Sequence, residues 1–79
     1  MAGKPKGPTW EERAARFLKA ELKRADVTYE ELAERLKKHG QEETRASIAN
    51  KLSRGTFSAV FFLATLAALG LENIALEDV

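Results

Sequence analysis

The sequence predicts a small all-α domain of four to five helices, and three observations point to helices rather than strands. Ala and Leu supply 23 of the 35 apolar residues, whereas Val and Ile supply only five, and this balance favours helix over sheet. Apolar residues recur at spacings of three and four along most of the chain. Threonines that can cap a helix precede three of these stretches. The length of 79 residues is enough for one domain.

The first predicted helix begins at Thr9. Thr9 and Glu12 have the T-x-x-E spacing of a capping box, in which the hydroxyl and the carboxylate satisfy free backbone amides of the first turn. The apolar residues that follow at helical spacing predict one stripe facing the core. This stripe comprises Trp10, Ala14, Phe17, Leu18, Leu22 and Ala25.

The second predicted helix begins at Thr28, which forms another capping box with Glu31. Val27 and Leu32 stand where a hydrophobic staple would close around this cap. The inner face of this helix is expected to comprise Leu32, Ala33 and Leu36. The helix is expected to stop at His39-Gly40.

Thr44 can cap a third helix, which turns Ile48 and Leu52 inward and ends before Gly55. A fourth helix is predicted from about Ser58 to Leu69, with Gly70 as its terminator. Phe57 and Phe62 have the spacing of a second staple.

The fourth helix is apolar almost all round. A helix of this kind is usually buried on more than one side. We therefore expect it to lie at the centre of the domain or to meet a second subunit.

The helices divide the chain into three parts. Residues 1–8 form a flexible basic arm, residues 9–72 the helical domain and residues 73–79 a tail. The tail alternates weakly at Ile74 and Leu76, so a short C-terminal strand is one option. The most apolar run, Phe57 to Leu71, is shorter than the roughly 20 residues that span a membrane, and no signal peptide is recognisable. We expect a cytoplasmic protein without a membrane partner.

The net charge of +1 conceals an alternation along the chain. Residues 1–24 carry a net charge of +4 and residues 44–55 one of +3, whereas residues 25–43 and 56–79 are each −3. A phosphate backbone is expected to bind the two positive segments.

Several classes of function find no support in the residue pattern. The absence of cysteine and the single histidine make a zinc site improbable. No nucleophile is paired with a base, and no glycine-rich phosphate loop is recognisable. No two carboxylates have a spacing that places them together in a pocket. We expect a binding protein rather than an enzyme, with no cofactor.

The outer face of the third helix carries the candidate function. At 100° per residue, the side opposite Ile48 and Leu52 is small in the middle and polar or basic at its edges. Such a surface can approach base edges: Asn50 could pair with adenine, and Arg45 or Arg54 with guanine. The basic residues could equally bind phosphate oxygens. The face comprises Ala46, Ser47, Asn50, Ser53 and Arg54, flanked by Arg45 and Lys51.

The stretch Val27–Leu36, followed by Ile48, Lys51, Leu52, Arg54-Gly55 and Phe57–Leu71, resembles the helix-turn-helix of the lambda-repressor-like (XRE) family. It is also similar to short bacterial proteins of unassigned function with the same pattern. The resemblance implies a compact lambda-repressor-like DNA-binding domain over residues 9–72, with Thr44–Arg54 as its recognition helix.

The resemblance further implies which residues contact phosphates. These are Tyr29 at the first turn of the second helix, and Thr56 and Ser58 before the fourth. Tyr29 could instead only cover the helix junction. Lys4 and Lys6 are either inert or part of an arm that reaches into the minor groove, as arms of the family do.

Two features depart from the family pattern. The turn Lys37–Glu43 is several residues longer than is usual, and it places Glu42 and Glu43 near the DNA approach. Ile48 and Leu52 are four residues apart rather than three. Both departures bear on the docking angle.

The expected function is that of a sequence-selective double-stranded DNA-binding protein, a bacterial or phage transcription regulator. It is expected to act as a homodimer, because one helix-turn-helix reads few base pairs. The fourth helix or the tail strand would form the interface. Transcription machinery could be a protein partner, and nothing in the sequence indicates an inducer pocket. The alternatives are a protein-interaction adaptor on the same scaffold and a nucleoid-type DNA binder with little sequence preference.

Overall fold

The computed structural model describes residues 7–79, which form four α-helices and one short turn of 3-10 helix. This part of the chain contains no β-strand, which confirms the all-α class. The elements are α1 (Trp10–Ala25), α2 (Tyr29–Lys37), α3 (Arg45–Arg54), α4 (Ala59–Ala68) and the 3-10 helix (Leu76–Asp78).

Side-chain caps begin each of the four α-helices, as the sequence predicts. Thr9 and Thr28 form complete capping boxes with the glutamates three residues later. Thr44 also forms a reciprocal box. The Ser58 hydroxyl accepts a hydrogen bond from the Phe61 backbone N–H at 3.0 Å. These caps satisfy amides that would otherwise lack partners in the first turn.

Three helices end in a left-handed residue followed by a hydrogen bond that reaches five residues back, the Schellman arrangement. The left-handed residues are Asp26, Gly40 and Gly70, with φ of 58°, 74° and 79°. The two glycines confirm the predicted stops. Asp26 was not predicted as a helix end, although aspartate adopts this conformation more readily than most residues.

The core lies where α1 and α2 each contact both α3 and α4. The Phe57 and Phe62 rings stack in parallel, 6.3 Å apart with an interplanar angle of 6°, which confirms the second staple. The core residues with the least exposure are Leu18, Leu22, Leu32, Leu36, Ile48, Leu52 and Phe61.

The stripe of α1 differs from its prediction at four points. Ala25 at the end of the helix is exposed, and Ala15, which the predicted stripe leaves out, is buried. Trp10 stands at the first position of the helix and is 56 % exposed. The Arg13 guanidinium lies over its ring, 4.0 Å from the ring centre. Glu21 is buried, and its carboxylate pairs with Arg24 at 3.2 Å. The ion pair offsets the cost of burying the carboxylate.

Helix α4 is buried on one side only. Phe61, Thr65 and Leu66 face the core, whereas Val60 and Leu63 are 58 % and 61 % exposed. Of the two alternatives expected for α4, a position at the centre of the domain is therefore wrong, and contact with a second subunit stays a prediction. Its other face remains open to solvent within residues 7–79.

The tail forms no strand, which corrects that expectation. It turns back along α1, and the Arg13 Nε donates to the Val79 carbonyl at 2.8 Å. A strand needs a neighbouring strand to accept its backbone hydrogen bonds, and residues 7–79 offer none. The backbone instead closes a local 3-10 turn at Leu76–Asp78.

None of the helices within residues 7–79 combines the length and the apolar character needed to cross a lipid bilayer.

Candidate nucleic-acid interface

Helix α3 is held from two sides, by α1 and by α2. Its inward side chains are Ile48 and Leu52, which are 0 % and 1 % exposed, as the sequence predicts. Because both sides of this buried edge are packed, the opposite face of α3 points out of the domain.

The outer face of α3 carries short side chains between two arginines. Ala46, Asn50 and Ser53 are exposed along it, and Arg45 and Arg54 are exposed at its ends. The helix contains no acidic residue, and neither arginine forms an ion pair within residues 7–79. Such a face can approach base edges closely, while its guanidinium groups can pair with guanine or phosphate.

Lys51, a predicted DNA contact, is engaged in contacts within the domain. Its ammonium group pairs with the Glu43 carboxylate and lies 4.8 Å from the centre of the Phe61 ring. The Glu43 side chain is only 7 % exposed. Lys51 is thus directed along the protein surface, where an ion pair and a cation–π contact hold its charge.

Thr44 and Ser47 are occupied by the cap of α3. The Ser47 hydroxyl accepts from the Thr44 backbone N–H at 2.8 Å and donates to Glu43 Oε1 at 2.6 Å. The Ser47 backbone N–H donates to the Thr44 hydroxyl at 3.0 Å. Of the two acidic residues expected near the DNA approach, Glu43 therefore lies against the start of α3 with Ser47 and Lys51 as partners, and Glu42 is exposed.

The residues assigned to phosphates by resemblance lie in three environments. Tyr29 is half-buried and packs against the core. Thr56 is exposed, and Ser58 is exposed while its oxygen caps α4. Lys4 and Lys6 lie outside the described residues.

The structure adds two basic residues that sequence reasoning missed. A groove of about 230 Å³ separates α1 from the end of α3 and is lined by Arg16 and Lys19 on one side and by Ser53 and Arg54 on the other. The charge count along the sequence gives residues 1–24 a net positive charge but does not show where this charge lies on the surface of the domain. The three-residue spacing of Arg16 and Lys19 puts both on one helical face, a pattern visible in the sequence.

Glu12 is the acidic residue that lines the same groove. The hydrogen bond that it accepts from the Thr9 backbone N–H at 2.8 Å lowers the pKa of its carboxyl. Desolvation opposes this effect, and the Thr9 hydroxyl and the charge of Arg16 lower the pKa further. Glu12 is therefore a charged cap of α1.

A larger groove of about 860 Å³ lies between α1 and the tail. Two of its arginines are occupied, since Arg13 donates to the Val79 carbonyl and Arg24 pairs with Glu21. Asp78 adds a negative charge to its lining. It is thus less favourable for an anion than the smaller groove.

Within residues 7–79, no three histidine, aspartate or glutamate side chains are grouped so that they could hold a metal ion.

The fold and this surface define a small four-helix domain that displays a short helix without acidic residues. A family model described as a domain of unknown function, DUF6471, matches residues 10–74, and the chain belongs to this family. Comparison with curated proteins and with solved structures finds no match.

Proposed function

We propose that this protein is a cytoplasmic, sequence-selective double-stranded DNA-binding protein that regulates transcription in a bacterium or phage. The observation that carries the proposal is the outer face of α3, which is exposed, free of acidic residues and held on two other helices. A rigid helix with short central side chains and cationic ends suits the major groove. The resemblance to the lambda-repressor-like family supports the same proposal.

The proposal gives three exposed residues of α3 a role. Asn50 stands in the middle of the face and reads adenine, for which its amide supplies one donor and one acceptor. Arg45 and Arg54 bind guanine or the adjoining phosphates. Thr56 and Tyr29 contribute phosphate contacts beside the helix.

Ser47 and Lys51 take a supporting role in this proposal. Both are bound to Glu43, so they hold the start of α3 in place rather than contact the nucleic acid. The longer turn between α2 and α3 provides the carboxylate that makes this possible.

The experiment is a fluorescence-anisotropy titration against a pool of random duplexes and bacterial promoter fragments, at about 50 and 200 mM salt. Salt-sensitive preference for a subset of duplexes is expected. Asn50→Ala should then reduce discrimination at one base pair by about 1–3 kcal/mol. Asn73→Ala, at an exposed asparagine of the tail, is the matched control.

Two results would contradict the proposal. Absence of binding at both salt concentrations would exclude DNA as the ligand. Equal loss of affinity of Asn50→Ala on every sequence would indicate nucleoid-type binding through the backbone instead.

We propose further that the DNA-binding form is a homodimer joined through α4. Val60 and Leu63 are exposed next to one another on a helix that carries no charge, so two copies can meet there without burying an ion. Leu63→Glu should give a monomer in light scattering at micromolar concentration. Leu76→Glu, at a leucine that is 70 % exposed in the tail, should leave the dimer intact. The reverse result would place the interface at the tail.

The exposed apolar residues of α4 also favour a second candidate, an adaptor that binds another protein. This candidate predicts that a protein partner is lost with Leu63→Glu and that no salt-dependent association with DNA occurs. The same anisotropy titration therefore separates the two functions.

A further inference from the structure

Basic residues line the groove between α1 and α3. Several basic residues elsewhere on the domain are instead paired with glutamates. Arg24, Lys37 and Lys51 are paired with glutamates. Arg16 and Lys19 are exposed and form no ion pair closer than 4.0 Å within residues 7–79. Together with Arg54, they place three cations around a groove of about 230 Å³.

The carboxylate in the groove is hydrogen-bonded by Thr9, and the charge of Arg16 also acts on it. Glu12 accepts hydrogen bonds from the backbone N–H and the hydroxyl of Thr9, both at the same oxygen. It is therefore held at the start of α1 as a cap. The lining keeps an excess of positive charge even with this carboxylate ionised.

The walls of the groove are held in direct contact at one end. A Cβ atom added to Gly55, directly after α3, would lie 2.6 Å from the Glu11 carbonyl oxygen in the first turn of α1. Such an approach is open only to glycine, and it sets the spacing between the basic residues of α1 and those of α3. The cations are thus presented by two helices in a defined arrangement.

The groove adjoins the face that the proposed function assigns to DNA. Ser53 and Arg54 belong both to the exposed side of α3 and to the lining of the groove. A DNA strand whose bases face α3 can therefore continue along α1.

We propose that Arg16 and Lys19 of α1, with Arg54, form a second binding surface for backbone phosphates, beside the bases that α3 reads. This inference rests on the proposed function and extends its contact surface to a helix outside the helix-turn-helix. The contact is electrostatic and carries no sequence information, because all phosphates are alike.

The test measures how affinity depends on salt. Each phosphate contact contributes about 0.9 to the slope of log K against log salt concentration on duplex DNA. We expect Arg16→Gln and Lys19→Gln each to reduce this slope by about one, and the double variant by about two. The loss of affinity at a fixed salt concentration should be the same on the preferred duplex and on a scrambled one.

Two further variants serve as controls. Lys38→Gln removes an exposed positive charge at the end of α2 that does not line the groove, and it should leave the slope close to that of the wild type. Lys19→Arg keeps the charge and should retain the slope. Far-UV circular dichroism of each variant confirms that the fold is intact.

The outcomes separate this inference from the proposed function. If the wild type prefers certain duplexes but the double variant has the same slope as Lys38→Gln, the second surface is refuted and the role of α3 stands. If the wild type binds no duplex, the proposed function fails, and the second surface fails with it.

Discussion

Gly55 offers a direct test of how α1 and α3 are packed. Its φ of 73° is left-handed, and a Cβ atom there would lie 2.6 Å from the Glu11 carbonyl oxygen and 3.0 Å from the Glu11 carbonyl carbon. Gly40 has almost the same φ, 74°, but a Cβ atom would meet nothing within 4 Å. Gly55→Ala and Gly40→Ala therefore share the backbone strain and differ in the collision.

The two substitutions should have clearly different magnitudes. Placing an alanine in the left-handed region costs about 1–2 kcal/mol, and this is the whole loss expected for Gly40→Ala. Gly55→Ala must also push the backbone of α1 away, and overpacking of this kind typically costs about 1–3 kcal/mol more. Since 1 kcal/mol lowers the Tm of a domain of this size by roughly 4–8 °C, the difference is measurable.

The assay is urea unfolding followed by far-UV circular dichroism, together with thermal melting. Gly70→Ala, with a φ of 79° and open space around the added atom, is a second control that should behave like Gly40→Ala. If Gly55→Ala lowers the free energy of unfolding no more than the two controls do, the proposed close contact between α1 and α3 is wrong.

Three further predictions concern buried and capping groups. Within residues 7–79, the Thr65 hydroxyl is buried without a hydrogen-bond partner. Thr65→Val should therefore raise the free energy of unfolding by about 1 kcal/mol, whereas Thr65→Ser should lower it. A loss of stability with Thr65→Val would show that the hydroxyl has a partner. Thr28→Ala removes the cap of α2 and should cost about 1 kcal/mol in urea unfolding, while Thr28→Ser should cost much less; equal losses would rule out the hydroxyl as the cause. The hydrogen bond from Thr9 lowers the pKa of Glu12. The stabilisation by the ionised Glu12 carboxylate is therefore complete above the pKa of an unfolded glutamate, and it is lost as the pH falls through the lower pKa of the folded state. NMR titration should find the Glu12 pKa below its ordinary value, and the stability difference between wild type and Glu12→Gln should shrink over that acidic window; a pKa at the ordinary value would contradict this.

The starts and three of the stops of the helices could be predicted because the interactions that make them are local. Thr9 and Thr28 bond to residues three positions away, and Gly40 and Gly70 terminate their helices through bonds within one turn. For such local contacts, the spacing of two residues along the chain determines the distance between them in the helix. The same reason explains why the inward residues Ile48 and Leu52 were predicted correctly.

The candidate site could be predicted only in part. Helical periodicity placed Asn50, Arg45 and Arg54 on the outside, where the structure has them. It could not show that Lys51 turns to Glu43, eight residues earlier at the end of the turn that precedes α3. The path of that turn depends on how α2 and α3 pack, so the pairing is a tertiary property.

The sequence by itself determined the all-α class, the approximate positions of the four α-helices and the caps of most of them, because each depends on residues within about one or two helical turns. Only the tertiary structure decided that the tail forms no strand, that α4 leaves Val60 and Leu63 exposed, and that Arg16 and Lys19 face the end of α3. These features depend on which helices meet and at what distance. That choice arises from the packing of the whole core, which brings together residues far apart in the chain.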